Sequence, residues 1–288
     1  DQALYFTLVN EGYDRTSFRQ VKMFPNHPEI RFERSVHESV VPALERLGIP
    51  IRVTDAQVRH TGYAEPEVTQ RKQRYYLELM QAWLQAHPED QYVRFRVGHT
   101  YYSQGDRSVA KQHFIEILNV GRDHADSLST FRSALVFQGR CLLEDGDPGA
   151  AIPYLEQALS FDSNDALINM SLGDVHTKLG RYEEAIAYLR RATNGTLDPH
   201  FPVDEQVVQY SANFFLGQCL EASGSPSAAI EAFSRAAEVD PDRSEARQAL
   251  LALYLSDHPA EGCGGGRPWE LHDMAREEGA PTSWPRME

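Results

Sequence analysis

Along the first sixty residues apolar and polar positions alternate with a period of about two, the spacing at which strand side chains share a face. The segments "ALYFTLVN" at 3–10, "RQVKMFP" at 19–25, "IRFERSV" at 30–36 and "IPIRVTDAQVRH" at 49–60 therefore read as strands. Between the last two, "ESVVPALERLG" at 38–48 has helical spacing from Val40 through Leu44 to Leu47. The predicted order is β, β, β, α, β, an α/β arrangement whose five short elements make a thin core. From residue 65 the period lengthens to about 3.6. There "EPEVTQRKQRYYLELMQAWLQAHP" at 65–88 predicts one long helix, and helical spacing continues from it as far as Leu255.

The helical part repeats. Glycines at Gly98, Gly139, Gly173 and Gly217 are each followed seven residues later by a second glycine, at Gly105, Gly146, Gly180 and Gly224. Five residues further stands Ala110, Ala151, Ala185 or Ala229, and four beyond that Phe114, Leu155, Leu189 or Phe233. This spacing predicts helix pairs: the second glycine marks the turn, the alanine lets the two helices approach, and the bulky residue fills the groove between them. Gly139 and Gly173 are 34 residues apart, the tetratricopeptide period, while the gaps of 41 and 44 on either side require longer connections such as "NVGRDHADSLST" and "NGTLDPHFPVDEQ". Residues 91–243 resemble tetratricopeptide repeats, and "SEARQALLALYL" at 244–255 reads as a capping helix over the last repeat. Past Ser256 the pattern gives way to glycine and proline clusters around Trp269 and Trp284, read as an irregular tail.

Charge narrows the function classes. The net charge is −14, which argues against nucleic-acid binding because neutralising phosphates requires a basic face. Residues 1–74 hold eleven basic and ten acidic residues, and residues 75–288 seventeen and thirty-two, so a near-neutral, arginine-rich first part precedes an acidic scaffold. Cys141, Cys219 and Cys263 are too far apart for a metal or disulfide framework and are expected to be reduced thiols. No long apolar run or basic-then-apolar leader is visible, so the expected location is cytoplasmic, with no membrane span. Because the chain enters a strand directly after Asp1, it is expected to be a fragment of a longer protein.

The stretch "RQVKMFPNHPEIRFERSVHESVVPALERLG", followed by "VRHTGY" and "RKQRYYLELMQAWLQAHPED", resembles the C-terminal half of a family 2 glycosyltransferase of the GT-A type with a tetratricopeptide extension. The fold class this implies is an α/β fragment of a nucleotide-sugar glycosyltransferase fold, residues 1–64, then a connecting helix at 65–90. An all-α tetratricopeptide solenoid with four repeats and a cap at 91–255 and the tail at 256–288 complete the expected organisation. The resemblance implies that Glu38 is a general base on the acceptor hydroxyl and that His37 orients it or touches the donor. It also implies that His60 helps to hold a divalent metal, Mn²⁺ or Mg²⁺, on the donor diphosphate. Arg31, Arg34 and Arg71 would contact the nucleotide-sugar donor, with Lys72 and Arg74 at the rim, and the repeats would carry a peptide, protein or glycan acceptor. The family also requires an Asp-x-Asp at a strand end, and none precedes His37; this chain alone is therefore expected to be inactive. The alternative is a non-catalytic tetratricopeptide interaction scaffold with the α/β segment as its cap.

Overall fold

The computed structural model describes residues 2–10, 17–33, 38–60, 66–122, 128–198 and 203–257. Two antiparallel strands, β1 (Ala3–Asn10) and β2 (Ser17–Met23), are joined by β3 (Ile51–His60), which runs parallel to β1, so the sheet order is β2-β1-β3. Helix α1 (Val41–Arg46) covers one end of this sheet, burying Ala43 and Leu44 with Ala3, Val21, Ile30 and Val40. The strand expected at 30–36 is reduced, in its described part, to a single bridge between Glu33 and Ser39. Its first residue is drawn away from any sheet, because Ile30 N closes a turn onto His27 O at 3.1 Å and the Ile30 side chain enters the small core. The helix expected from residue 38 starts at Val41, whose N–H is taken by Ser39 Oγ at 3.1 Å.

Helix α2 (Pro66–Ala86) packs its second half, through Leu77, Met80 and Trp83, against the first repeat helix. Eight repeat helices follow in pairs: α3 (Gln91–Ser103) with α4 (Arg107–Val120), α5 (Leu128–Glu144) with α6 (Pro148–Leu159), α7 (Ala166–Lys178) with α8 (Tyr182–Asn194), and α9 (Glu205–Ala222) with α10 (Pro226–Val239). Helix α11 (Glu245–Asp257) lies on α10 and buries Ala246, Leu250 and Leu253. Aspartates begin many of these helices: Asp90, Asp106, Asp147, Asp165 and Asp204 each accept the backbone N–H three residues on, satisfying a donor the helix itself leaves free.

The repeated glycines fall where their spacing placed them. Gly105, Gly146, Gly180 and Gly224 turn the chain at φ of 84°, 87°, 71° and 73°, a left-handed region that a side chain disfavours. The other four are packing positions. A Cβ on Gly98, Gly139, Gly173 or Gly217 would lie 2.9, 2.7, 2.5 or 2.6 Å from Phe114, Leu155, Leu189 or Phe233 respectively, so each bulky residue of a second helix rests on the bare backbone of the first. Ala110, Ala151, Ala185 and Ala229 are fully buried beside them.

Candidate functional site

Two places compete: the loop and strand ends of the α/β part, and the row of first helices in the repeats. In the first, Arg34 and His37 lie outside the described residues. Arg31 and Glu38 flank the Glu33–Ser39 bridge, both exposed, and Arg31 Nη1 donates to the carbonyl of Ile30 at 3.0 Å. Arg71 is exposed on the first half of α2. His60 ends β3, its backbone paired with Asn10. Val40, two residues from Glu38, shares a core with Ala3 at the start of β1. At about 3.3 Å of rise per strand residue, Asn10 and Ala3 stand at opposite ends of that strand, so the described residues do not gather Glu38 and His60 into one site. Nor, among the described residues, does any group of three His, Cys, Asp or Glu side chains converge as a metal site would require.

The second place is continuous. Each repeat's first helix touches the first helix of the next, α3 with α5, α5 with α7 and α7 with α9, whereas the second helices make no comparable contact with one another. A stack that is tight along one side and open along the other curves toward the tight side, so the first helices line its concave face. Side chains confirm the row. His99 and Tyr102 of α3 meet the Phe137 ring of α5 edge-on, at centroid distances of 4.8 and 5.1 Å. Arg140, one residue past the packing Gly139, donates from Nε to Tyr102 Oη at 3.1 Å and lies over the Tyr102 and Phe137 rings. Further along, Thr177 of α7 and Cys219 of α9 are 3.0 Å apart. The positions after the other packing glycines, Asp174 and Gln218, carry the row on, with Asp174 taking Lys178 Nζ at 2.5 Å and Gln218 exposed.

Burial shapes the chemistry of this face. It pushes His99 down to about 3, helped by the positive charges of Arg96 and Arg140, so the ring is a neutral packing group at physiological pH. Burial raises Tyr102 to about 12 although Arg140 opposes it, and Glu144, which accepts the Tyr102 hydroxyl, reinforces it. Burial also raises the Cys141 and Cys219 thiols, which keeps both protonated and unreactive. The face is therefore aromatic and amphipathic at its first half and polar at its second. It has the makings of a docking surface and no nucleophile activated for catalysis among these groups. No described helix is long and apolar enough to cross a membrane.

His99 and Arg140 each directly follow a packing glycine, and that shared position is the signal the sequence offers for them, whereas Tyr102, four residues past Gly98, carries none. Arg132, Asp162, Asp165 and Asp198, which meet at one edge of the stack, carry no repeated spacing.

Two family models, both described as tetratricopeptide repeat, match residues 142–201 and residues 95–166 with 204–244. A TPR repeat-containing protein of Synechococcus elongatus is 31% identical over 174 residues, covering 55% of this chain and 41% of that protein; the chain thus spans about two fifths of the length of that curated relative. Among solved structures, the APC/C hetero-tetramer Cut9-Hcn1 superposes with a TM-score of 0.55 at 16% identity, covering 65% of this chain and 34% of that one. YrrB, a TPR protein with an unusual peptide-binding site, gives a TM-score of 0.47 at 18% identity over 63% of this chain and 84% of that one.

Proposed function

From a chain whose residues 95–201 and 204–244 match tetratricopeptide repeats, we propose that the protein is an interaction scaffold that holds an extended segment of another protein along its first-helix face. The observation that carries this reading is the uninterrupted contact of α3, α5, α7 and α9 along one side of the stack, which leaves His99, Tyr102, Arg140, Asp174 and Gln218 along one concave row. Such rows bind by many modest contacts, with aromatic and arginine side chains contributing most. The test is selection of peptides from a random library on the purified chain, followed by affinity measurement on variants. Arg140→Ala and Gln218→Ala are expected to weaken the selected peptides at least tenfold together, and Glu231→Ala, on the exposed side of α10, to leave them unchanged. Peptides insensitive to both first-helix substitutions would overturn the reading.

A second reading concerns the α/β part, and one observation favours it. β1 and β3 are parallel, and β3 lies at the sheet edge with Arg52, Val53 and Asp55 through Arg59 exposed. Parallel strands occur in sheets covered on both faces, so this unit has the form of a sheet built to continue into a larger α/β body. In that reading it belongs to a nucleotide-sugar glycosyltransferase, with Glu38 as base, His37 beside it, Arg31, Arg34 and Arg71 toward the donor, and His60 toward a divalent metal. The described residues offer that metal no converging ligand set. Calorimetry with nucleotide sugars and Mn²⁺ on this 288-residue chain is expected to show nothing tighter than about millimolar, roughly −4 kcal/mol. Micromolar, metal-dependent binding would mean that a complete donor site lies within it.

A further inference from the structure

One guanidinium ties together three segments of two neighbouring repeats. Arg132, the fifth residue of α5, pairs through Nη2 with Asp198, just past α8, and through Nη1 with Asp162 Oδ2 at 3.3 Å, in the turn between α6 and α7. Asp165 Oδ2 stands 3.9 Å from the same Nη2 while its Oδ1 caps α7 by accepting Ile168 N. Ser129 Oγ donates to Asp198 Oδ2 at 2.7 Å. The backbone joins in: Thr196 N donates to Asn164 O at 3.0 Å and Ala166 N to Thr196 O at 2.8 Å. This pairing needs Gly195, because a Cβ there would sit 2.5 Å from Asn164 O. The side chains of Arg132, Asp165 and Asp198 are only 14%, 6% and 10% exposed. Charges this sheltered are strongly coupled, so removing one member of the cluster is costly.

In repeat arrays each unit contacts only its neighbours, so openings can nucleate and spread repeat by repeat. We propose that Arg132 and the residues Gly195–Asp198 form a brace that makes the second and third repeats, residues 128–198, open as one cooperative unit. The brace fixes the relative setting of α5 and α7, and with it the middle of the first-helix face. Asp198 reaches back past its own repeat to the first helix of the preceding one, 66 residues earlier in sequence, so its bond is available only when both repeats are folded.

Hydrogen exchange on the full chain tests this. In the wild type, amides of 130–143, 166–176 and 195–198 are expected to share one opening free energy. Asp198→Asn is expected to raise exchange at Ala166 and Thr196 at least tenfold and also in the first two turns of α5, with α10 and α11 unchanged. Arg132→Met, which leaves three carboxylates facing one another, is expected to have the larger effect in the same segments, and the double variant to be no worse than Arg132→Met alone. Exchange that rises in Asp198→Asn only at 195–198, or additive effects in the double variant, would overturn the brace. Circular dichroism of each variant establishes that its helices are intact before exchange is compared.

Discussion

At the scale of single residues, the repeats depend on four contacts between a glycine and a bulky side chain sixteen positions later. Leu189 shows the constraint most clearly, since a Cβ on Gly173 would lie 2.5 Å from both its Cγ and Cδ2. Alanine is the better helix former by about 1 kcal/mol, so propensity alone would make Gly173→Ala stabilising. Overpacking of about 1–3 kcal/mol opposes and exceeds it, and urea denaturation of Gly173→Ala is expected to show a net loss of stability. Ala185→Leu, at a fully buried contact of the same pair, is expected to be destabilising by the same mechanism and in the same range. A gain in either variant would refute the packing register. These contacts were legible beforehand because both partners recur at fixed spacing in four copies. The Arg132–Asp198 pair was not: its partners are 66 residues apart and occur once, so no period announces them. Histidines were likewise silent, since burial rather than spacing decides that His99, His113 and His176 pack against Phe137, Tyr101 and Tyr188.

At the scale of elements, the sequence was most readable where helices repeat with a periodic face. Asp147, which precedes Pro148, accepts Ala150 N at 3.0 Å and caps the start of α6. Asp147→Ala is expected to lower stability by about 0.5–2 kcal/mol, read as a shift in the urea midpoint without change of slope. The α/β part was less readable, because short strands depend on partners that local pattern does not reveal. Alternation in "IRFERSV" predicts a strand, yet Ile30 turns into the core and only Glu33 bridges, to Ser39. Glu38 stands beside the Glu33–Ser39 bridge and His60 ends β3, and no local pattern fixes how far apart such positions lie.

For the whole molecule, two opposing charge effects set its response to acid. Lowering pH from 7 toward the isoelectric point near 5.2 removes net negative charge and so relieves self-repulsion. Three histidines act the other way. Burial lowers His99 to about 3, so the folded state holds a neutral ring there that the unfolded chain protonates near its ordinary value of about 6.5, and burial shifts His113 and His176 in the same direction. Their contribution is fully present above that value and is lost as pH falls through it toward the depressed folded values. Stability of His99→Gln is therefore expected to fall less steeply than wild type between about pH 7 and pH 5, a comparison in which the surface charges cancel. Equal slopes would mean that His99 is protonated in the fold. The concave row itself emerges only at this scale, since no single repeat contains it. Its most direct test is a photo-crosslinking amino acid placed singly at Gln218, on α9, and at Glu231, on α10, with a library-selected peptide as the probe. The account predicts crosslinking from Gln218 and none from Glu231; capture from Glu231 alone would place the partner on the second helices and contradict it.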